Sequence, residues 1–77
     1  MKKKYDSTYS IKYKTFGYPY YHLVNGYFKI FESAMQKVEE IKADESVREV
    51  VLSKRTGYHH AKMYKWDNGF ETIYLGR

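Results

Sequence analysis

Apolar and polar side chains alternate with a period of two from Tyr9 onward. Tyr9, Ile11, Tyr13 and Thr15 fall on one side, and Ser10, Lys12, Lys14 and Phe16 on the other. Aromatic and β-branched residues in that alternation predict a half-buried strand. Gly17-Tyr18-Pro19 ends it, because Gly reaches unusual dihedrals while Pro fixes φ and lacks a donor. The apolar runs Tyr20–Val24 and Tyr27–Phe31 flank Asn25-Gly26. That dipeptide suits the two positive-φ positions of a type I′ turn, so a β-hairpin is predicted there. Residues 1–8 are polar and aperiodic, which predicts a frayed basic tail and leaves 9–77 as a single domain.

From Ser33 the period becomes helical. Ala34, Val38 and Ile41, with Met35 beside them, trace one apolar stripe, and Lys37, Glu39, Glu40 and Lys42 fall largely outside it. Ser33 and Gln36 have the spacing of a capping box. Asp44-Glu45-Ser46 breaks the pattern, and a helix of about 11 residues is too short to hold alone, so it must pack on a sheet. Val47–Lys54 then reads as a central strand and Lys54–Gly57 as a basic turn or loop. Ala61–Trp66 and Phe70–Leu75 predict a second hairpin, closed by the three-residue turn Asp67-Asn68-Gly69.

Strands, one helix, then strands predict an α+β fold. It is a two-layer sandwich with a single helix packed on a five- or six-stranded, mostly antiparallel sheet. One short helix leaves the other sheet face to solvent, a second copy or a partner. Lys62, Tyr64 and Trp66 alternate with Ala61, Met63 and Lys65, which places the rings of Tyr64 and Trp66 on that open face.

Composition sharpens this expectation. Ten tyrosines stand among 14 Lys and Arg in 77 residues, with a net charge of +5. Tyrosine is apolar in body and polar at its tip, which suits a surface that is wet when free and dry when bound. The charge is uneven. Residues 1–31 carry six Lys against Asp6, a net +5; residues 32–49 carry six acids against three bases, a net −3; residues 50–77 carry five bases against two acids, a net +3. The chain has no cysteine, which excludes disulfides and thiolate metal sites and fits a reducing, cytoplasmic setting. No apolar run reaches the ~18 residues of a membrane span, and no apolar segment follows Lys2–Lys4 as in a secretory signal.

Rings and cations interleave in three places: Lys12 and Lys14 with Tyr18, Tyr20 and Tyr21; Lys29; and Lys54, Arg55, Tyr58, His59, Lys62, Tyr64, Lys65 and Trp66. Flat side chains on a sheet stack unpaired bases while cations follow the phosphates. Strands favour tyrosine in any case, and the RNP1 string of RNA-recognition motifs is absent. Gly57-Tyr58-His59-His60 beside Lys54-Arg55 has the groups for acid–base work on a phosphodiester. The order helix, strand, Gly-x-His-His, strand, Asp-Asn-Gly, strand over about residues 33–75 resembles the HicA-type toxins, small double-strand-RNA-binding-like RNases. The resemblance implies that His59 is the catalytic group, although Tyr58 stands where that family has serine and its closing helix is missing. His22, His59 and His60 have no acidic or thiol partner at a metal-ligand spacing, and no phosphate loop or dinucleotide fingerprint is present. Neither a metal nor a small-molecule cofactor is therefore expected.

The expected function is that of a small non-catalytic binding protein. Its tyrosine- and lysine-rich sheet face and basic loops would engage an anionic macromolecule: RNA, single-stranded DNA or a nucleic-acid-handling protein. The alternative is a protein–protein module, either a homodimer or a small inhibitor of the phage-encoded, anti-CRISPR-like type. The RNase reading comes third.

Overall fold

The computed structural model describes residues 7–74. Its elements run β1 (Ser7–Thr15), β2 (His22–Leu23), α1 (Phe31–Lys42), β3 (Val47–Thr56), β4 (His59–Asp67) and β5 (Phe70–Ile73). The strands form one five-stranded antiparallel sheet in the order β2-β1-β3-β4-β5, and α1 packs across one face. This is the α+β two-layer arrangement that the element order predicts.

The alternation in β1 holds. Ile11 is buried in the core cluster with Tyr9 and Tyr13 packed against it, so these three face α1, while Ser10, Lys12 and Lys14 face away. The core brings Ala34 and Val38 of α1 onto Val50 and Leu52 of β3 and Tyr64 of β4. Each fully buried Val or Leu side chain there contributes roughly 1.5–3 kcal/mol, which is what holds so short a helix in place. Ser7 and Thr8, placed by the sequence in a basic tail, are instead the first residues of β1, and Ser7 Oγ lies 2.9 Å from Thr56 Oγ1. The rest of that tail lies outside the described residues.

Residues 54–56, expected within a basic turn or loop, instead continue β3 because β1 and β4 both pair with them. Four further local expectations change. The runs flanking Asn25-Gly26 do not pair with each other. Both pair with β1: Lys12 opposes Leu23, Val24 donates to the Ile11 carbonyl, and Tyr9 and Phe28 exchange hydrogen bonds of 2.7 and 2.8 Å. Gly26 does take positive φ (+77°), but as a kink in a segment running along one strand. The long partner β1 outcompetes a local hairpin because it offers ladder bonds to both halves.

The helix starts at Phe31 rather than Ser33, with Ile30 as N-cap and no side-chain capping bond, so the capping box does not form. At the far end the Ala43 and Asp44 N–H groups donate to the Glu39, Glu40 and Ile41 carbonyls, and Ser46 braces the turn beyond, its N–H and hydroxyl both donating to the Asp44 carboxylate. The turn between β4 and β5 has two residues, not three. Asn68 and Gly69 both take positive φ and Asp67 pairs with Phe70, as in a type I′ turn.

The last change matters most for the site. A β-bulge between Leu52 and Ser53 pairs Leu52 with Tyr64 but Ser53 with Lys62, so Met63 is an extra residue. The bulge shifts the alternation of β4 by one. Lys62 faces away from α1, while Tyr64 and Trp66 turn toward it.

Candidate nucleic-acid interface on the helix-free sheet face

The register assembles the helix-free face row by row. One row is Lys12, Val51, Lys65 and Thr72; the next is Lys14, Glu49, Asp67 and Phe70. In the other direction Ser10, Ser53 and Lys62 align, followed by Thr8, Arg55 and His60. Lys12, Lys14, Arg55, Lys62 and Lys65 therefore share one face although they come from three strands. Val51 is only 1% exposed with no helix above it. It is flanked in its row by Lys12 and Lys65, whose methylene stems cover apolar surface while their amines reach water.

Tyr21 organises this face. It precedes β2, whose His22 opposes Tyr13, so Tyr21 falls on the side of Lys14. The Lys12 and Lys14 amines sit 4.3 and 4.6 Å from the centre of its ring, within cation–π range. Its hydroxyl donates to the carboxylate of Glu49, which is only 5% exposed. That bond, followed by burial, pushes the Tyr21 hydroxyl up to about 12. Tyr21 thus caps the buried carboxylate that would oppose an anion and keeps two lysines gathered beside it.

Tyr21→Phe keeps the ring and removes the cap. Leaving Glu49 buried without its partner should cost about 1–3 kcal/mol. Chemical denaturation checks this, and Tyr21→Phe combined with Glu49→Gln should recover part of the loss.

Tyr64 and Trp66 are corrections to the expected site. Tyr64 is buried in the core, and Trp66 packs against it on the α1 side. The Tyr64 hydroxyl donates to Glu71 at 2.6 Å and accepts from Lys42 at 2.9 Å, while Lys42 also donates to Glu71 at 2.8 Å. This triangle ties the last turn of α1 to β4 and β5. Burial opposes the charge on Lys42, but its bonds to Glu71, Tyr64 and Glu39 outweigh that and hold its amine above the usual range. Bonds from Lys42 and then Tyr64 hold the Glu71 carboxyl below its ordinary 4.5. A lowered carboxyl contributes stability that is fully present above pH 4.5 and lost as pH falls through the folded value. Glu71→Gln should therefore flatten that acid limb in melting curves taken across the range, relative to the unmodified chain.

The remaining candidates scatter. Tyr13, His22 and Tyr18 stack at 5.0 Å steps with Tyr20 edge-on at 5.8 Å, a run that leads from half-buried Tyr13 and His22 on the α1 side out to exposed Tyr18 and Tyr20. Tyr58 is 92% exposed at the tip of the β3–β4 hairpin. His59 and His60 oppose Thr56 and Arg55, so the two imidazoles stand on opposite faces. Lys54 pairs with Tyr9 and Ala61 on the α1 side beyond the core, and Lys29 is exposed beside Phe28. His60 was considered from sequence only as an acid–base or metal-ligating group, and Phe70 and Glu49 were not singled out; the cross-strand register is the signal that places all three on this face. Tyr74 was missed as well; the Lys62 amine lies 5.9 Å from its ring centre.

Compared with known protein families, curated proteins and solved structures, the chain has no match in any of the three. Among the described residues no helix is long and apolar enough to cross a membrane.

Proposed function

We propose that this chain is a non-catalytic binding protein that lays single-stranded nucleic acid across the helix-free face of its sheet. The observation that supports it is the gathering of Lys12, Lys14, Arg55, Lys62 and Lys65 on one face while Tyr21 caps Glu49. Tyr21, His60 and Phe70 supply rings on the same face for unstacked bases. The acidic exposed residues of α1, Glu32, Glu39 and Glu40, lie on the other side and repel a phosphate chain, which orients the complex. The cysteine-free composition fits a cytoplasmic site of action.

A second reading is a small inhibitor, of the kind phages carry, that caps a protein partner. It is favoured by Phe16, Tyr20, Leu23, Tyr27 and Ile30, each more than half exposed in the stretch between β1 and α1. Titrating a labelled single-stranded oligonucleotide and its duplex at low salt separates the two. Tighter binding of the single strand supports the nucleic-acid reading. No binding to either at low salt removes it and leaves the protein partner.

A further inference from the structure

The two edges of the sheet differ in how they are protected. At one edge β2 has two residues, is preceded by Pro19 and is followed by the kink at Asn25-Gly26, all features that deter strand addition. At the other edge β5 reads Phe-Glu-Thr-Ile, with no Pro, Lys or bulge, and Phe70 and Ile73 are 81% and 70% exposed. Among the described residues nothing pairs with the outer side of β5.

We infer that two copies of this chain join through β5 about a twofold axis, continuing one antiparallel sheet through both. The backbone narrows the register. Tyr74 donates to the Met63 carbonyl, so Tyr74 with Met63 is a hydrogen-bonded pair. Alternation along an antiparallel ladder makes Thr72 with Lys65, and Phe70 with Asp67, bonded pairs too. The N–H and C=O groups of Glu71 and Ile73 therefore point outward, free for a further strand.

A twofold mate must set outward groups against outward groups. Glu71 against Glu71 of the second copy would place like charges directly opposite, which is destabilising. Centring the axis on Thr72 sets Glu71 against Ile73 of the second copy, reciprocally, and every outward group finds a partner. On the helix-free face Thr72 then meets its own counterpart, and Phe70 meets Tyr74 of the second copy. Glu71 keeps its bonds to Lys42 and Tyr64 on the α1 side. Lys65 lies one strand in from β5, so its counterpart is three strand spacings away, about 14 Å. That exceeds the ~8–10 Å screening length at physiological salt, so the two basic faces adjoin with little repulsion. Self-complementarity in this register favours a second copy over an unrelated strand.

The test is the mass of the full chain in solution without nucleic acid, by sedimentation equilibrium over a concentration series. The expected mass rises from 9.3 kDa toward twice that value. Ile73→Pro removes an outward donor and leaves the β4 ladder intact, so it should stay monomeric. Thr72→Lys sets two cations across the axis, so its dimer should be lost at low salt and return as salt rises. If Ile73→Pro unfolds, as circular dichroism would show, Thr72→Lys decides. A wild-type chain that stays monomeric throughout the series, or a dimer that survives the folded variants, overturns the proposal. Both results are independent of whether the chain binds nucleic acid.

Discussion

Leu52→Ala should lower the free energy of unfolding by about 2–5 kcal/mol, the range for deleting a buried leucine from a packed core. Leu52 has no exposed surface, sits on the central strand between Ile11 and Tyr64, and belongs to the cluster under α1. A domain has only roughly 5–15 kcal/mol in all, so this one change removes a large share. Urea denaturation with an unchanged slope is the expected signature. Trp66→Ser should also cost stability, because its ring packs on the same cluster and lies 5.7 Å from the Lys42 amine. Its loss is expected to be smaller, since Trp66 is only partly buried. A loss of binding by Trp66→Ser at unchanged stability would place the indole on the interface after all.

Replacing Lys12, Lys14, Lys62 and Lys65 together by Ala should have the largest effect on binding. Each phosphate neutralised on a single strand adds roughly −0.7 to the slope of log K against log salt, so four lost contacts should flatten it by about 2.8. The same number of charges removed from the α1 side should change the slope far less. Lys12 and Lys65 also flank buried Val51 in the sheet, so a Lys→Gln version keeps most of the stem and separates packing from charge. Equal slopes for wild-type and variant chains would show that these amines do not meet phosphates.

What the sequence made legible follows from which interactions are local. The alternation in β1 runs unbroken from Ser7 to Lys14, so its faces could be read from side-chain type alone. The alternation in β4 could not, because the bulge that admits Met63 lies in the pairing with β3. That single extra residue moved Tyr64 from the expected open face into the core and Trp66 to the α1 side against it. Asn25-Gly26 did mark a bend, and Gly26 has the positive φ that the dipeptide suggests. Whether its flanks paired with each other or with β1 was a tertiary choice that no local signal carries. The lysines of the helix-free face were all named from sequence, yet the Tyr21–Glu49 bond spans 28 positions and needs the assembled sheet to be seen.

The most direct test is an amide chemical-shift map of the labelled chain titrated with a short single-stranded oligonucleotide at low salt. The expected result is a continuous set of changes over Lys12, Lys14, Tyr21, Val51 and Lys65, with the exposed side of α1 unmoved. Shifts confined to α1 or to the stretch between β1 and α1, or none at all, would contradict binding on the helix-free face.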